Sequence, residues 1–305
     1  MSKTKYFDSL LNEWDSIIKK KKIFSSIKPC SACGSKKFNK IFTKKKLNFV
    51  ICKNCTHVFI NPPIKEGVMI NHFKKSKTWS YWSNKILNDK KQKKIEKKKY
   101  KIGVSFIRAL KKEKIKILDI GSASGNFVKI ALANKWDITA IEPSVYAYNI
   151  LKKKYKCKIF NQTFEKSKIK EKYDVITCWA SFEYSYNTKK FVEKINNLLN
   201  KNGTVIFYIS GNSNSLVMKI LREKCVGFLF NRINYFNPKS LDILLRKKFK
   251  RKKLISDVNN IDLINDFINY NSIYNNKKNN SKLFNQKYIH KEVMGYKFFA
   301  AYEKK

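Results

Sequence analysis

Apolar and polar positions divide this chain into an N-terminal part of mixed character and a longer part where strand-like and helix-like patterns alternate. In the longer part, Ile115, Ile117, Leu118 and Ile120 form a β-branched run of the kind buried as a central parallel strand. The small residues Gly121-Ser122-Ala123-Ser124-Gly125 follow. Phe127, Val128, Ile130, Ala131 and Leu132 then recur as the buried face of a helix. The same reading predicts strands over 136–141, 157–160, 173–179, 204–209, 253–258 and 296–302. It predicts helices over 95–110, 145–155, 191–199, 215–223 and 241–246, the last opened by Pro238. Strands and helices in alternation imply an α/β domain with a parallel sheet. Residues 271–286, rich in Asn and Lys, read as a loop. Near the start, Phe7, Leu10, Leu11, Trp14, Ile17 and Ile18 recur at helical spacing within 1–26, which suits a docking helix.

The first strand ends in Asp119-Ile120-Gly121, and the second is followed by Glu142. A strand, a tight turn and a helix bring bare backbone beside a ligand where glycine removes the Cβ. An acid at the end of the next strand lies where a ribose presents its hydroxyls, and a carboxylate can accept from two of them. The glycine turn alone is equally compatible with ordinary packing; Glu142 at this spacing shifts the reading towards a ligand. GSASG lacks the third glycine of G-x-G-x-x-G, which disfavours a dinucleotide.

A second signal lies in the N-terminal part. Cys30-Ser-Ala-Cys33 and Cys52-Lys-Asn-Cys55 are two C-x-x-C pairs separated by 18 residues, the arrangement of a zinc ribbon. Phe38, Ile41, Phe42, Phe49 and Val50 would form its hairpin. So short a segment buries too little to fold alone, and a four-cysteine zinc site would supply the missing stability. Four thiolates leave no open coordination position, so the metal would be structural. Paired disulfides are the alternative, disfavoured in a cytosolic chain. His57 is a further candidate ligand, although four cysteines suffice. Cys157, Cys178 and Cys225 lie in apolar stretches and read as inert core residues. Between the two parts, Pro62-Pro63 and the aromatic residues His72, Phe73, Trp79, Tyr81 and Trp82 suit either interdomain packing or a wall over a substrate.

The motifs taken together resemble the class I S-adenosylmethionine-dependent methyltransferases. ILDIGSASGNF is similar to their first motif, IEPS to their ribose-binding acid, YDVITCW to their fourth strand and LLNKNGTVIFY to their fifth. The resemblance implies a Rossmann-like sheet of seven mostly parallel strands with helices on both faces, here preceded by the small ribbon. It divides the chain into 1–94 and a methyltransferase domain at 95–305, with insertions near 211–236 and 259–292. It implies S-adenosyl-L-methionine as cofactor, held by Asp119, Gly121, Ser122, Ala123, Gly125, Glu142, Pro143, Gln162, Thr163, Phe164 and Trp179. Ala123 stands where the family usually has a second glycine. Glu183 and Tyr184 fall at the methyl-transfer position, where relatives commonly carry Glu-His; the missing histidine removes the obvious base, which leaves Glu183 as candidate catalytic base and Tyr184 as an orienting hydroxyl, with loop-fixing as the alternative role for Glu183. The ribbon, ending in VFINPP ahead of such a domain, resembles bacterial methyltransferases of sugar-nucleotide and surface-polysaccharide pathways. The acceptor expected from that resemblance is a nucleotide-linked sugar or similar glycan precursor.

Composition changes this picture in one respect. Lys and Arg number 67 against 22 Asp and Glu, a net charge of +45, which raises an RNA substrate gripped through phosphates as the competing reading. The basic residues are spread along the whole chain among Asn, Ile, Phe and Tyr, as a compositional bias would leave them, whereas a dedicated binder concentrates them in one patch. The densest run, over 90–101, reads as a solvated helix face. No apolar run approaches the roughly 20 residues of a membrane span, and the first residues, with Asp8, Glu13 and Asp15, do not resemble a signal peptide. A cytosolic protein is expected. A binding module without catalysis is the third reading, raised by the absent histidine.

Overall fold

The computed structural model describes residues 3–20, 22–82, 86, 89–257 and 291–305. The expected 271–286 loop, and nearly all of the 259–292 insertion, lie outside the described residues.

Helix α1 (Lys3–Ile18) buries Leu10, Trp14, Ile17 and Ile18. Strands β1 (Phe38–Lys44), β2 (Leu47–Cys52) and β3 (Val58–Ile60) form the ribbon as an antiparallel sheet. Helices α2 (Glu66–Lys75) and α3 (Lys77–Tyr81) follow, joined through Ser76, whose hydroxyl accepts the Trp79 N–H and donates to Glu13 Oε2 of α1. Helix α4 (Lys90–Arg108) starts one turn earlier than expected, because Asp89 caps it by accepting the Gln92 N–H.

The main sheet comprises β4 (Lys116–Ile120), β5 (Asp137–Ile141), β6 (Lys158–Phe160), β7 (Tyr173–Trp179), β8 (Leu199–Ser210), β10 (Phe249–Asp257) and β11 (Lys297–Lys304). Their order is β10-β11-β8-β7-β4-β5-β6. Neighbours from β8 to β6 run parallel, and β11 is antiparallel to both β8 and β10. Helices α5 (Asn126–Ala133), α6 (Val145–Lys154), α7 (Thr188–Leu198) and α9 (Pro238–Leu245) make the crossovers, α9 opening on a capping box between Asn237 and Ser240 with Pro238 at its first turn. This is the α/β sheet of seven mostly parallel strands that the sequence implies. Every central strand is buried along nearly its whole length, as a sheet covered on both faces requires.

The segment between β8 and α9 contains α8 (Leu216–Leu221) and β9 (Asn234–Tyr235), and β9 does not join the main sheet. It pairs with β3 as the fourth strand of the ribbon sheet. Phe228, Phe230 and Tyr235 of this segment share one apolar cluster with α1, Phe49 and Met69. Cys30, Cys52, Cys55 and Phe59 belong instead to the cluster that covers one face of the main sheet. The ribbon is therefore wedged between the main sheet and the inserted segment, with apolar contacts on both sides. No helix of the described residues is long and apolar enough to cross a membrane.

Candidate active site

The strand order reverses between β4 and β7, and loops leaving the carboxyl ends of two diverging strands open a crevice there. A cavity of 690 Å³ occupies it, within the range of small-molecule sites. Asp119, Gly121, Ser122, Ala123, Glu142, Pro143, Thr163, Phe164, Trp179 and Tyr184 line it. Gly125, Gln162 and Glu183, also expected at the site, are not among its walls.

Glu142 is buried, and its two oxygens accept the backbone N–H groups of Ala123 (2.7 Å) and Ser144 (2.8 Å). These bonds fix the carboxylate against the glycine loop while each oxygen keeps a further lone pair. Burial pushes its pKa up to about 7 against the opposing pull of the two N–H groups. Asp119 Oδ1 accepts from Thr177 Oγ1 at 2.7 Å, and burial raises this carboxyl to about 6. Asp119 Oδ2, Thr163 Oγ1 and Trp179 Nε1 are buried polar atoms on cavity-lining residues, each without a hydrogen-bond partner. Such atoms are rare in folded proteins unless something else satisfies them.

The glycines serve packing more than ligand approach. At Gly121, φ is 78°, and a Cβ would lie 2.6 Å from that of Ser181 in the loop after β7. At Gly125, φ is 86°, and a Cβ would meet Leu151 and Tyr155 of α6 and the loop after it. Gly121 and Ser122 both donate their N–H to Ile141 O, and Ala123 donates to Glu142. These amides are thus already engaged and offer a pyrophosphate no free donors. Ala123 holds φ at 47°, tolerated by a short side chain where glycine would be unstrained.

The opposite wall comes from distant segments. Tyr6 of α1, Phe73 of α2, Trp79 of α3 and Trp82 line the cavity, so the aromatic stretch before the main domain does form a wall. Phe73 meets Tyr184 edge-on at 5.3 Å, and Tyr6 packs on Trp82 at 4.7 Å. His72 turns away towards Glu13, at 3.7 Å. The basic run of α4 is only partly the solvated face expected of it. Lys93, Lys94, Lys97 and Lys98 are exposed, but Gln92, Ile95, Glu96, Lys99 and Tyr100 form a stripe on the cavity, with Lys99 Nζ 2.5 Å from Glu96 Oε2. Helical spacing at 92, 96 and 99 was visible in the sequence, hidden among lysines. Arg232, Tyr208, Tyr296 and Lys297 also line the cavity, and no sequence motif marks them.

Glu183 is fully buried beneath this wall. Its Oε1 accepts from the backbone N–H of Ser210 (2.7 Å) and from Ser210 Oγ (3.2 Å), and burial raises its pKa. Tyr184, its neighbour, faces the cavity.

The four ribbon cysteines converge with all Sγ atoms within 4.8 Å of one another, and none is in a disulfide. The Cys30–Cys55 and Cys33–Cys52 sulfur separations are 3.5 Å. A tetrahedron with Zn–S bonds of ~2.3 Å has edges of ~3.8 Å, so the donor set fits such an ion. Both knuckles close alike: Gly34 N–H donates to Cys30 O and Thr56 N–H to Cys52 O, with Gly34 and Thr56 both at positive φ. His57 is not part of the converging ligand set, and its Nε2 lies 3.0 Å from Ser31 Oγ and 3.2 Å from Asn234 Oδ1.

Fold and site together define an α/β domain with a cavity at the switch point of its sheet. The sequence model of the family described as "Methyltransferase domain" matches residues 92–248, and the chain belongs to that family. Among solved structures, the PH0226 protein of Pyrococcus horikoshii aligns with 11% identity over 74% of this chain and 96% of its own, at a TM-score of 0.50. A SAM-dependent methyltransferase of Thermotoga maritima, described as a possible histamine N-methyltransferase, aligns with 16% identity over 74% of this chain and 99% of its own, at 0.48. The N-methyltransferase NodS of Bradyrhizobium japonicum, in complex with S-adenosyl-L-homocysteine, aligns with 12% identity over 78% of this chain and 96% of its own, at 0.47. No match is found among curated protein sequences.

Proposed function

We propose that the chain transfers a methyl group from S-adenosylmethionine to a small-molecule acceptor, a nucleotide-linked sugar or related glycan precursor. The observation that carries this reading is a continuous cavity with two unlike walls, strand-end loops on one side and aromatic side chains of the N-terminal part on the other. The cofactor brings an activated methyl group, so the protein's work is positioning and exclusion of water. Glu142 accepts from the ribose hydroxyls, Asp119 and Lys99 face the amino acid portion, and Thr163 with Phe164 brackets the base. The unpartnered atoms of Asp119, Thr163 and Trp179 are the polar groups such a ligand would satisfy. Phe73, Trp79, Trp82 and Tyr186 offer flat faces to a sugar or base, and Tyr184 orients it through its hydroxyl. Glu183 supports that loop from behind. The cluster of four cysteines holds a structural zinc ion.

An RNA substrate is the second reading, favoured by the net charge of +45. The two separate in one set of assays. Transfer of labelled methyl to a panel of sugar nucleotides, read by mass spectrometry, is expected, with no salt-dependent retardation of RNA. Tight RNA binding that weakens steeply with salt would favour the second reading, and no calorimetric signal with S-adenosylhomocysteine would overturn both.

A further inference from the structure

Arg232 is 5% exposed and lines the cavity. Its Nη1 donates to Gly227 O (3.1 Å) and its Nη2 to Ser210 Oγ (3.0 Å), while Nε has no partner. Among the described residues no carboxylate pairs with it directly. The acid behind it, Glu183, is reached only through Ser210, two hydrogen bonds away. Ser210 Oγ accepts from Arg232 and lies 3.2 Å from Glu183 Oε1, and Glu183 Oε2 is buried without a partner. The phenols of Tyr184 and Tyr296 flank the guanidinium, and burial raises both, which keeps them as neutral O–H groups.

A buried guanidinium without a direct counter-ion is costly, and folds retain one where something else supplies the negative charge. Here the backbone is shaped to hold it. Gly211 has φ at 111°, and a Cβ there would stand 2.5 Å from Arg232 Nη1. On the other side the chain is tied at once into the ribbon sheet, where Ile60 N–H donates to Ile233 O.

We propose that Arg232 anchors an anionic group of the acceptor, a carboxylate or a phosphate, with the Tyr184 and Tyr296 hydroxyls donating beside it. The planar fork of a guanidinium matches either oxyanion in a way a lysine does not. The inference rests on the methyltransferase reading, because it takes this end of the cavity as the acceptor's.

Calorimetric titration of the full chain, saturated with S-adenosylhomocysteine, tests it with two probes: UDP for a phosphate source and D-glucuronate for a carboxylate source. The native protein is expected to bind at least one saturably. Arg232→Gln is expected to weaken that binding about tenfold or more, and Arg232→Lys severalfold. Affinity for S-adenosylhomocysteine should stay within about twofold in both variants, which also certifies their folding. Failure of both probes with native protein, or unchanged binding in Arg232→Gln, overturns the anchor. Should Arg232→Gln not fold, unchanged binding in Arg232→Lys does the same. Failure of S-adenosylhomocysteine itself to bind strikes at the methyltransferase reading instead.

Discussion

The wall proposed for the cofactor is assembled from the carboxyl ends of parallel strands and the loops that leave them: β4 gives Asp119 to Ala123, β5 gives Glu142 and Pro143, β6 leads to Thr163 and Phe164, and β7 ends in Trp179. The wall proposed for the acceptor takes Tyr6, Phe73 and Trp82 from before the main domain, Arg232 from an inserted segment and Tyr296 from the approach to the last strand. The first wall is held by the sheet itself. The second is held through the ribbon, with Asn234 as its hub. Asn234 Oδ1 accepts from Ser31 Oγ, inside the first C-x-x-C, at 2.6 Å, and its Nδ2 donates to Ser185 O and Glu183 O at 2.8 and 3.3 Å. Thr188 Oγ1 donates to Ser31 O at 2.6 Å from the other side. The two walls should therefore fail separately.

The largest separation is expected from the metal site. Cys52→Ser, or chelation at neutral pH, would remove the proposed zinc ion, whose binding in isolated zinc modules contributes on the order of 10 kcal/mol to folding. Loss of the knuckle around Ser31 frees Asn234 and with it the loop carrying Glu183 and Tyr184. Methyl transfer should fall about 100-fold or more, whereas affinity for S-adenosylhomocysteine should stay within about threefold. Metal analysis of the purified chain should give one zinc. Equal loss of both properties would show that the walls are one unit.

This division also governs what could be read from the sequence. Asp119 and Trp179 lie at the carboxyl ends of β4 and β7, and Glu142 and Thr163 follow β5 and β6, so the strand pattern together with the resemblance to the methyltransferases locates them. Arg232 and Tyr296 are brought in by long-range pairing, β9 onto β3 and β11 between β8 and β10, which no local period encodes. Glu96 and Lys99 were obscured for a different reason, since a stripe of charged residues inside a lysine-rich helix looks like solvated surface until its partner is known. Gly121 and Gly125 illustrate the converse case: the sequence marks them correctly as required, but for packing against Ser181 and α6.

On the cofactor side, Glu142→Ala would leave the Ala123 and Ser144 amides without an acceptor, each orphaned donor costing about 1–3 kcal/mol. Affinity for S-adenosylhomocysteine should drop about 100-fold by calorimetry, with Glu142→Gln intermediate because one acceptor oxygen remains. The ribbon should keep its zinc in both variants. Loss of the metal would break the comparison from the opposite side.

A smaller effect follows from pH. The folded Glu142 carboxyl sits at about 7 and the ordinary value is 4.5. Between those values the folded chain retains a proton that the unfolded chain has released. Stability from this group is therefore present at low pH and declines as pH rises through the interval, levelling above about 7, a range of about 3 kcal/mol at most. With ribose hydroxyls donating to the carboxylate, as proposed, cofactor affinity should move the other way, rising about tenfold between pH 6 and 8. Melting temperature and S-adenosylhomocysteine affinity measured over the same buffers should show opposite slopes. Parallel slopes would mean that Glu142 does not bind the cofactor in its charged form.

The smallest expected change is the most discriminating, because it separates a ligand contact from a structural one at a single atom. Thr163 Oγ1 is buried and unpartnered on the cavity wall. Thr163→Val keeps the shape and removes the hydroxyl, relieving a desolvated group that the fold does not use, so the unliganded protein should gain up to about 1 kcal/mol. If the cofactor supplies the missing partner, the same substitution should weaken S-adenosylhomocysteine about fivefold, the loss of one neutral hydrogen bond. A hydroxyl with a purely structural role would lower stability and leave affinity unchanged. Chemical denaturation with and without S-adenosylhomocysteine reads both signs on one sample.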